Sequence, residues 1–202
     1  AMAWQEVPAE AGRRSRIAGK LVTSPSRPKL KVLESVRPAT LPAESILARY
    51  QVDGTYADCF VARVSGTVGH AEFVFAFYTT WLFKIERAIL KVAASRPSSD
   101  LDVTELAQGK RDAFAAWRVE GRSDNQLLLC DFTGRTRSWL MTIDDTSGPP
   151  STLLYFGSAV VPRIDPATGA ASMGTGYRLL LGFHKLYSRL LLRAACANLE
   201  VN

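Results

Sequence analysis

The feature that most constrains this chain is a series of four alternating segments separated only by short breaks. Apolar residues either alternate with polar ones or form short runs within each segment, as they do in half-buried and buried β-strands. The four segments are Asp112–Glu120, Gln126–Phe132, Arg135–Ile143 and Thr152–Val161. The breaks are rich in Gly, Asp, Asn and Pro, the residues of hairpin turns. Because a parallel connection needs about a dozen residues or more, these strands are predicted to pair antiparallel.

Helical patterns flank this sheet on both sides. A strand pattern at Tyr56–Val64 precedes one long, very apolar helix, which is predicted from about His70 to Ala94. An amphipathic helix from Tyr177 to Cys196 follows the sheet. Together they predict an α+β fold, in which a curved antiparallel sheet wraps around the long C-terminal helix, with one further long helix. A fold of this shape often encloses an apolar cavity.

Weaker patterns indicate shorter elements. Residues Leu30–Val36 alternate as a short added strand, and Pro42–Arg49 is consistent with a short helix that has a proline near its start. The connector Ser98–Gly109 has room for another short helix, and residues 163–176 are a Gly- and Ala-rich loop. The whole sequence therefore predicts five or six strands.

The positive charge of the chain is concentrated near its N-terminus. The net charge is +6, and residues 13–37 are rich in Lys and Arg but contain one acid, Glu34. The remainder of the chain is therefore close to neutral. We predict that residues 1–28 form a flexible basic arm and that residues 29–202 form a single domain. Ala1 is expected to be an expression remnant outside the fold.

Cysteine usage and hydropathy favour a soluble, cytoplasmic protein. The chain has 3 cysteines and no CxxC spacing, which is too few for a disulfide framework and indicates a reducing compartment. Its longest apolar stretch, Phe73–Phe83, is well short of the roughly 20 residues that cross a bilayer. No apolar export signal follows the Arg13-Arg14 pair.

Three stretches of the sequence resemble a known family. They are LPAESILARYQVDGTYADCF (Leu41–Phe60), the strand that contains Trp117, and GFHKLYSRLLLRAA (Gly182–Ala195). With the order of elements, they resemble a bacterial family of unknown function that is attached to the START-like and pollen-allergen-like (SRPBCC) superfamily. The fold of that superfamily is the helix-grip. The resemblance covers about residues 30–196.

The resemblance implies a cavity between the sheet and the last helix that takes an apolar ligand, such as a lipid, sterol or polyketide. Some members of the superfamily are cyclases or dehydratases, so the resemblance also allows an enzyme. The fuller versions of the fold have more strands than the five or six predicted here. A shallower or more open cavity would follow from the missing strands.

Large side chains of the predicted sheet and last helix are the candidates for ligand contact. We predict that the ligand-binding residues are Trp117, Trp139, Tyr155, His184 and Tyr187. Apolar area would supply most of the affinity, and a few polar groups would orient the ligand. Which residues face inward depends on the strand register, which a shift of one residue would invert.

The sequence contains no catalytic signature, so catalytic residues stay unassigned. Nucleophile-elbow, dinucleotide-binding and phosphate-loop motifs are absent from it. Asp58 lies within a strand and is either a pocket carboxylate or a residue of the solvent face. His184 is either an acid/base group or a partly buried structural histidine. Asp131 is either a second pocket carboxylate or part of the neighbouring turn.

Neither a metal nor a cofactor is predicted. The chain has two histidines, His70 and His184, and nothing near them supplies the three or four ligands that a metal site needs. The sequence GTVGH (Gly66–His70) at a helix start is either a plain turn or an anion site. A basic row on the last helix is either a solvated face or a contact for phosphate or an acidic partner. The row is Arg178, Lys185, Arg189 and Arg193.

Three hypotheses about function stay open at this point. The first is a non-catalytic or weakly catalytic domain that binds an apolar small molecule. The second is a cyclase- or dehydratase-type enzyme that uses Asp58 or His184 as its acid/base group. The third is a homodimeric interaction protein, in which the apolar first helix is the dimer surface. Nucleic acid is disfavoured as a partner, because the basic arm has no aromatic residues between its charges to stack on bases.

Overall fold

A computed structural model describes residues 29–52, 55–93, 97–164, 168, 171–172 and 177–201. The basic arm predicted at residues 1–28 lies outside the described residues. Within them, the chain forms one large antiparallel sheet, with helices on one face and a covering segment on the other.

Seven strands form this open sheet. In chain order they are β1 Val32–Pro38, β2 Tyr56–Ser65, β3 Ala113–Phe114, β4 Trp117–Ser123, β5 Gln126–Asp131, β6 Thr136–Asp145 and β7 Ser151–Val160. Across the sheet their order is β1-β2-β7-β6-β5-β4-β3, so β1 and β3 are the edges. The antiparallel pairing predicted from the short breaks is confirmed. The count of seven is higher than the five or six strands that the sequence predicted.

The first predicted hairpin strand, Asp112–Glu120, is divided into β3 and β4. Ala115 separates them with a φ of 52°, in the left-handed region that interrupts an extended strand. The two strands then pair antiparallel, with Phe114 opposite Trp117. This local reversal brings the side chains of Ala116 and Trp117 toward the helices.

The structure describes four helices: α1 His70–Tyr78, α2 Trp81–Ala93, α3 Asp100–Ala107 and α4 Tyr177–Val201. The predicted C-terminal helix is confirmed and extends beyond Cys196. The prediction of one long helix from about His70 to Ala94 is wrong, because α1 ends before α2 begins. The interruption falls at Thr79 and Thr80.

Thr80 causes this interruption by capping α2. Its hydroxyl accepts a hydrogen bond from the Phe83 N–H (3.2 Å) and donates one to the Phe77 carbonyl (2.9 Å). Its own carbonyl accepts the first helical hydrogen bond from the Lys84 N–H at 2.9 Å. These are the contacts of a helix N-cap residue. Thr80 therefore marks the start of a new helix, which the continuous apolar pattern of the sequence did not indicate.

The shorter predicted elements have mixed outcomes. The helix expected at Pro42–Arg49 is a single 3-10 turn, Ala48–Tyr50. The Gly- and Ala-rich loop contains a two-stranded ribbon of β8 (Arg163–Ile164) and β9 (Ala171–Ser172). Helix α3 confirms the short helix expected in the connector, and it begins with a capping box.

The larger core lies between the sheet and the helices. Because side chains alternate along a strand, Phe60, Leu140 and Phe156 point to the same face of β2, β6 and β7. Phe77 of α1 packs on Phe156, with the two ring centroids 4.7 Å apart. Tyr78 is also fully buried in this core.

Helix α4 packs against α1, α2, β1, β2 and β7. Near its C-terminal end, the Asn198 side chain donates a hydrogen bond to the Ala76 carbonyl at 2.9 Å. Glu200 accepts one from the Val32 N–H of the edge strand, also at 2.9 Å. The last turns of α4 are thus tied to both α1 and the sheet. Among the described helices, none is long and apolar enough to span a membrane.

Residues 39–50 cover the opposite face of the sheet, which is called the outer face below. Leu47 from this segment is buried against Trp139 and its neighbours in a second, smaller core. Gln126 ties the segment to the sheet, because its Oε1 accepts hydrogen bonds from Trp139 Nε1–H and from the Ile46 N–H, both at 3.0 Å. The central strands β5, β6 and β7 are therefore covered on both faces.

Candidate functional site

A cavity of about 280 Å³ lies between the helix-facing side of the sheet and helices α2 and α4. This volume is near the lower end of the roughly 300–1,000 Å³ of small-molecule sites. The apolar side chains in its wall are Phe77, Phe83, Ala116, Phe132, Phe156 and Leu191. Trp117 and polar residues complete the wall. The polar residues discussed below are Glu86, Asp131, Arg137, Ser138, Ser158, His184, Tyr187 and Ser188.

Helical and strand periodicity place these polar groups in one wall. His184, Tyr187, Ser188 and Leu191 recur at the three- and four-residue spacing that shares one face of α4. Phe83 and Glu86 have the same relation on α2. In the sheet, Ser138 and Ser158 occupy helix-facing positions beside larger apolar residues. Their small side chains leave the space that becomes the cavity.

A chain of hydrogen bonds runs from Asp58 on β2 through Ser158 on β7 to His184 on α4. Asp58 Oδ1 accepts from the Ser158 hydroxyl at 2.5 Å and from the Ser158 N–H at 3.1 Å. Its Oδ2 accepts from the Tyr56 hydroxyl at 2.8 Å. Ser158 Oγ lies 2.7 Å from His184 Nε2. Asp58 is therefore a carboxylate inside a hydrogen-bonded network, rather than on a solvent face.

The direction of the protons in this chain follows from the donor count. An ionised Asp58 only accepts, so the single hydroxyl proton of Ser158 is donated to it. Ser158 Oγ must then accept from His184, which places a proton on Nε2. Burial lowers the pKa of His184, and the nearby Asp58 carboxylate opposes that shift only in part. At neutral pH we therefore expect the uncharged imidazole that carries Nε2–H.

This geometry differs from that of a Ser-His-Asp triad. In a triad the serine proton is directed to the imidazole, and the carboxylate bonds to the other ring nitrogen. Here Ser158 lies between Asp58 and His184 and donates to the acid instead. The arrangement can orient a ligand or relay a proton, but it does not activate Ser158 as a nucleophile.

Glu86 of α2 is an acid in the wall of the cavity. Its Oε2 accepts a hydrogen bond from the Tyr187 hydroxyl at 2.9 Å. Burial raises the pKa of the Glu86 carboxyl, and Tyr187 and Trp117 lower it in part, so that the pKa stays above its ordinary value. Burial and the nearby Glu86 also raise the pKa of Tyr187.

Two buried polar atoms of the cavity wall have no hydrogen-bond partner within the described part of the chain. They are Ser188 Oγ and Trp117 Nε1. The Trp117 N–H helps to lower the pKa of Glu86 without reaching hydrogen-bonding geometry with it. Ser188 is only 1% exposed, so its hydroxyl does not form hydrogen bonds with bulk water. An unsatisfied buried polar group costs about 1–3 kcal/mol, which a ligand with a polar atom would recover.

The structure brings together three of the five predicted ligand-binding residues. Trp117, His184 and Tyr187 line the cavity. Trp139 and Tyr155 do not, because they lie on the outer face of the sheet with Leu47. Leu140 and Phe156 next to them face the helices, so the alternation of the strand turns Trp139 and Tyr155 away. Ligand contact by the first three stays a prediction.

Sequence reasoning missed Glu86, Ser158 and Ser188. A weak signal existed for Ser158, a polar residue inside an otherwise apolar strand. Ser188 is a polar residue between Tyr187 and Leu191 in the predicted amphipathic helix, and this position gave only a weak signal. No signal connected Glu86 with Tyr187, which is 101 residues away in sequence.

Other candidates from the sequence have structural explanations. Asp131 caps its turn, since its Oδ1 accepts from the N–H groups of Arg135 (2.8 Å) and Thr136 (3.0 Å). Burial lowers the pKa of His70 to about 4, with a smaller effect from Arg122, so the ring is neutral. Gly66 begins a turn with a φ of 75°. No group of three or more His, Cys, Asp and Glu side chains in the described residues could hold a metal ion.

Two surface features correspond to the partner hypotheses. Lys185, Arg189 and Arg193 of the basic row are exposed on α4. An apolar row on α2 is also exposed, and its first residue, Trp81, is 64% exposed. Its other members are Ile85 and Ile89. The homodimer suggested by the sequence stays a prediction, which sedimentation equilibrium would test.

Comparisons of the chain with protein-family models, with curated proteins and with solved structures find no match. The likeness to the START-like superfamily therefore rests on the three quoted stretches and on the order of elements.

Proposed function

We propose that this domain binds a small, mostly apolar molecule in the cavity between the sheet and α4. The observation that carries the proposal is a cavity with aromatic walls that also contains buried polar atoms without partners. A packed core has few voids larger than a water molecule, and its buried polar groups are paired. A ligand would fill this space and supply the missing hydrogen bonds.

A helix-grip fold is part of this proposal. Its support is an antiparallel seven-stranded sheet with a long C-terminal helix packed on the face that borders the cavity. The predicted ligand-binding residues Trp117, His184 and Tyr187 lie at this border. The sequence predicted five or six strands, and a shallower cavity was expected from the missing ones. Because the sheet has seven strands, that expectation no longer follows.

The first experiment is native mass spectrometry of the purified protein before and after denaturation. Extra mass that disappears on denaturation would establish a bound small molecule. A titration with the neutral fluorescent probe N-phenyl-1-naphthylamine would measure the capacity of the emptied cavity. We expect saturable binding with a micromolar dissociation constant or tighter.

A cavity-filling variant makes the titration specific. Ala116 lines the cavity, so Ala116→Leu is expected to weaken probe binding at least tenfold. Ala197 is exposed on α4, and Ala197→Leu is the matched control that should bind the probe as the wild type does. Equal binding by wild type and Ala116→Leu would contradict the proposal.

The hydrogen-bonded chain that ends at the cavity favours a second candidate, an acid/base enzyme. Asp58, Ser158 and His184 would move a proton to or from a bound substrate, with His184 as the group nearest to it. Once a ligand is identified, incubation with the protein in deuterated water would test this. Deuterium incorporation into the ligand that His184→Gln abolishes would support catalysis, and an unchanged ligand would contradict it.

A further inference from the structure

The charge balance of the cavity points to the class of its ligand. Four charged or titratable groups besides Tyr187 lie in the wall: Glu86, Asp131, Arg137 and His184. The Arg137 guanidinium makes its contacts on the outer face of the sheet. Its Nε donates a hydrogen bond to Glu120 at 3.0 Å, and the guanidinium carbon lies 4.6 Å from the centroid of the Tyr50 ring. His184 is neutral at pH 7, as argued above. The two acids therefore face no free cation from these groups.

Glu86 in particular has no cationic partner among the described residues. It accepts a hydrogen bond from the Tyr187 hydroxyl, and the Trp117 N–H lowers its pKa, but both of these side chains are neutral. The two basic residues of α2 whose side chains the structure describes, Lys84 and Arg87, both pair with Asp100 on α3. Arg87 pairs with it at 2.6 Å, and Lys84 pairs with it at 3.0 Å. Glu86 is thus a partly buried carboxylate whose charge no cation among the described residues compensates.

A buried charge without a counter-ion is unfavourable, and an opposite charge within about 4–6 Å relieves the penalty. The rest of the wall also suits a cation. The aromatic rings of Phe77, Phe83 and Phe156 line the same cavity, and their faces attract an ammonium group. Ser188 Oγ has no partner and offers a hydrogen-bond acceptor.

We infer that the cavity takes an amine: a ligand with an aromatic or cyclic hydrocarbon body and one ammonium group, whose positive charge Glu86 binds. This inference deepens the proposed function and rests on it. The apolar walls bind the body of the ligand, while the carboxylate and the Ser188 hydroxyl accept hydrogen bonds from its ammonium group. An anionic ligand is repelled by Glu86, and a neutral one leaves the carboxylate uncompensated.

Three probes of one size and shape test the inference: 4-phenylbutylamine, 4-phenyl-1-butanol and 4-phenylbutyrate. They share the phenyl ring and a four-carbon chain, whose last carbon is a methylene group in the amine and the alcohol and the carboxyl carbon in the acid. At pH 7 they are cationic, neutral and anionic, respectively. Calorimetric titration of the wild type is expected to give at least tenfold tighter binding of the amine than of the alcohol. Binding of the carboxylate is expected to be weaker than that of the alcohol.

The Glu86→Gln variant removes the charge and keeps the shape and an acceptor for Tyr187. We expect it to bind the amine and the alcohol with affinities within a factor of about two. The matched control is Glu44→Gln, which removes the same charge from an exposed site. It should keep the full preference for the amine.

The outcomes separate this inference from the proposed function. If the wild type binds the alcohol as tightly as the amine, or if Glu86→Gln keeps the preference, the amine assignment is overturned and the cavity still binds ligands. If neither the three probes nor N-phenyl-1-naphthylamine binds to the wild type, both the inference and the proposed function fail.

Discussion

At the residue scale, the most informative groups of this protein are polar side chains that lie in the otherwise apolar wall of the cavity. Glu86, Ser188 and the Trp117 N–H all reach the same cavity. None of them gains a full set of partners within the described residues. Burying a polar group without a partner lowers the stability of the fold. Groups of this kind are therefore candidates for ligand binding or catalysis.

The penalty at Glu86 leads to a prediction about stability. Its pKa is raised in the folded protein, so the charged form destabilises the fold at neutral pH. Below the ordinary pKa of 4.5 the carboxyl is protonated in both states, and the penalty disappears. Glu86→Gln is therefore expected to raise the melting temperature at pH 7 and to leave it unchanged near pH 4. Calorimetry across this range checks it, and a loss of stability at pH 7 would contradict the argument.

His70 gives a second prediction with the opposite dependence on pH. Its folded pKa of about 4 lies below the ordinary 6.5, so the unfolded chain binds a proton that the folded protein excludes. Stability should fall as the pH decreases from 6.5 toward 4, by up to about 3 kcal/mol from this residue. In His70→Gln that part of the decrease is expected to vanish. Urea unfolding at several pH values measures it, with Glu44→Gln as the control.

At the element scale, single residues decide where helices end and how strands approach their neighbours. Thr80 divides an apolar stretch that periodicity alone reads as one helix. Gly157 allows β7 to pass beneath the segment that covers the outer face. Both are local requirements of packed elements.

The cap at Thr80 predicts the effect of removing one hydroxyl. Thr80→Val keeps the shape of the buried side chain but loses the acceptor for the Phe83 N–H. We expect a loss of about 1–2 kcal/mol in the free energy of unfolding. Thr104 in α3 only donates to the Asp100 carbonyl one turn earlier, so Thr104→Val is the control. Equal effects of the two substitutions would argue against a cap.

Adding a side chain at Gly157 is expected to disturb the packing of the outer face. A Cβ atom there would lie 2.7 Å from Leu47 Cδ2 and 2.9 Å from both the Asp58 carbonyl oxygen and Trp139 Cε3. Gly157→Ala is expected to destabilise the fold by about 1–3 kcal/mol, because the sheet backbone cannot give way. A Cβ atom on Gly148 meets nothing within 4 Å, so Gly148→Ala should be close to neutral. Denaturant unfolding of both variants provides the comparison.

At the scale of the whole molecule, two cores share one sheet, and they differ in how completely they are filled. The outer core is sealed by residues 39–50, whereas the helix-facing core contains the cavity. A ligand in that cavity would contact α1, α2, α4 and the sheet together. Its binding should therefore stabilise the domain as a unit.

This coupling predicts a thermal shift. If 4-phenylbutylamine binds only the folded protein, a concentration of 100 times its dissociation constant adds about 2.7 kcal/mol to the free energy of unfolding. The melting temperature is expected to rise in the wild type, and the same concentration of the amine should produce a smaller rise in Glu86→Gln. Differential scanning fluorimetry measures both, and equal shifts would contradict the role of Glu86.

The sequence by itself determined the local architecture of this protein. Alternation and short polar breaks predicted the antiparallel hairpins, and periodicity predicted the C-terminal helix, because both depend on neighbours in sequence. Tertiary structure decided which side chains meet. Trp117, His184 and Tyr187 line one cavity, whereas Trp139 lies on the outer face of the sheet.

The physical reason is that strand register and helix packing join residues across long separations. Glu86 meets Tyr187 across 101 residues, and Asp58 meets Ser158 across 100. A shift of one residue in a strand would exchange its two faces, and the pattern of one segment alone does not fix that choice. The cavity, with Glu86 in its wall, forms only when the sheet, α2 and α4 are packed together.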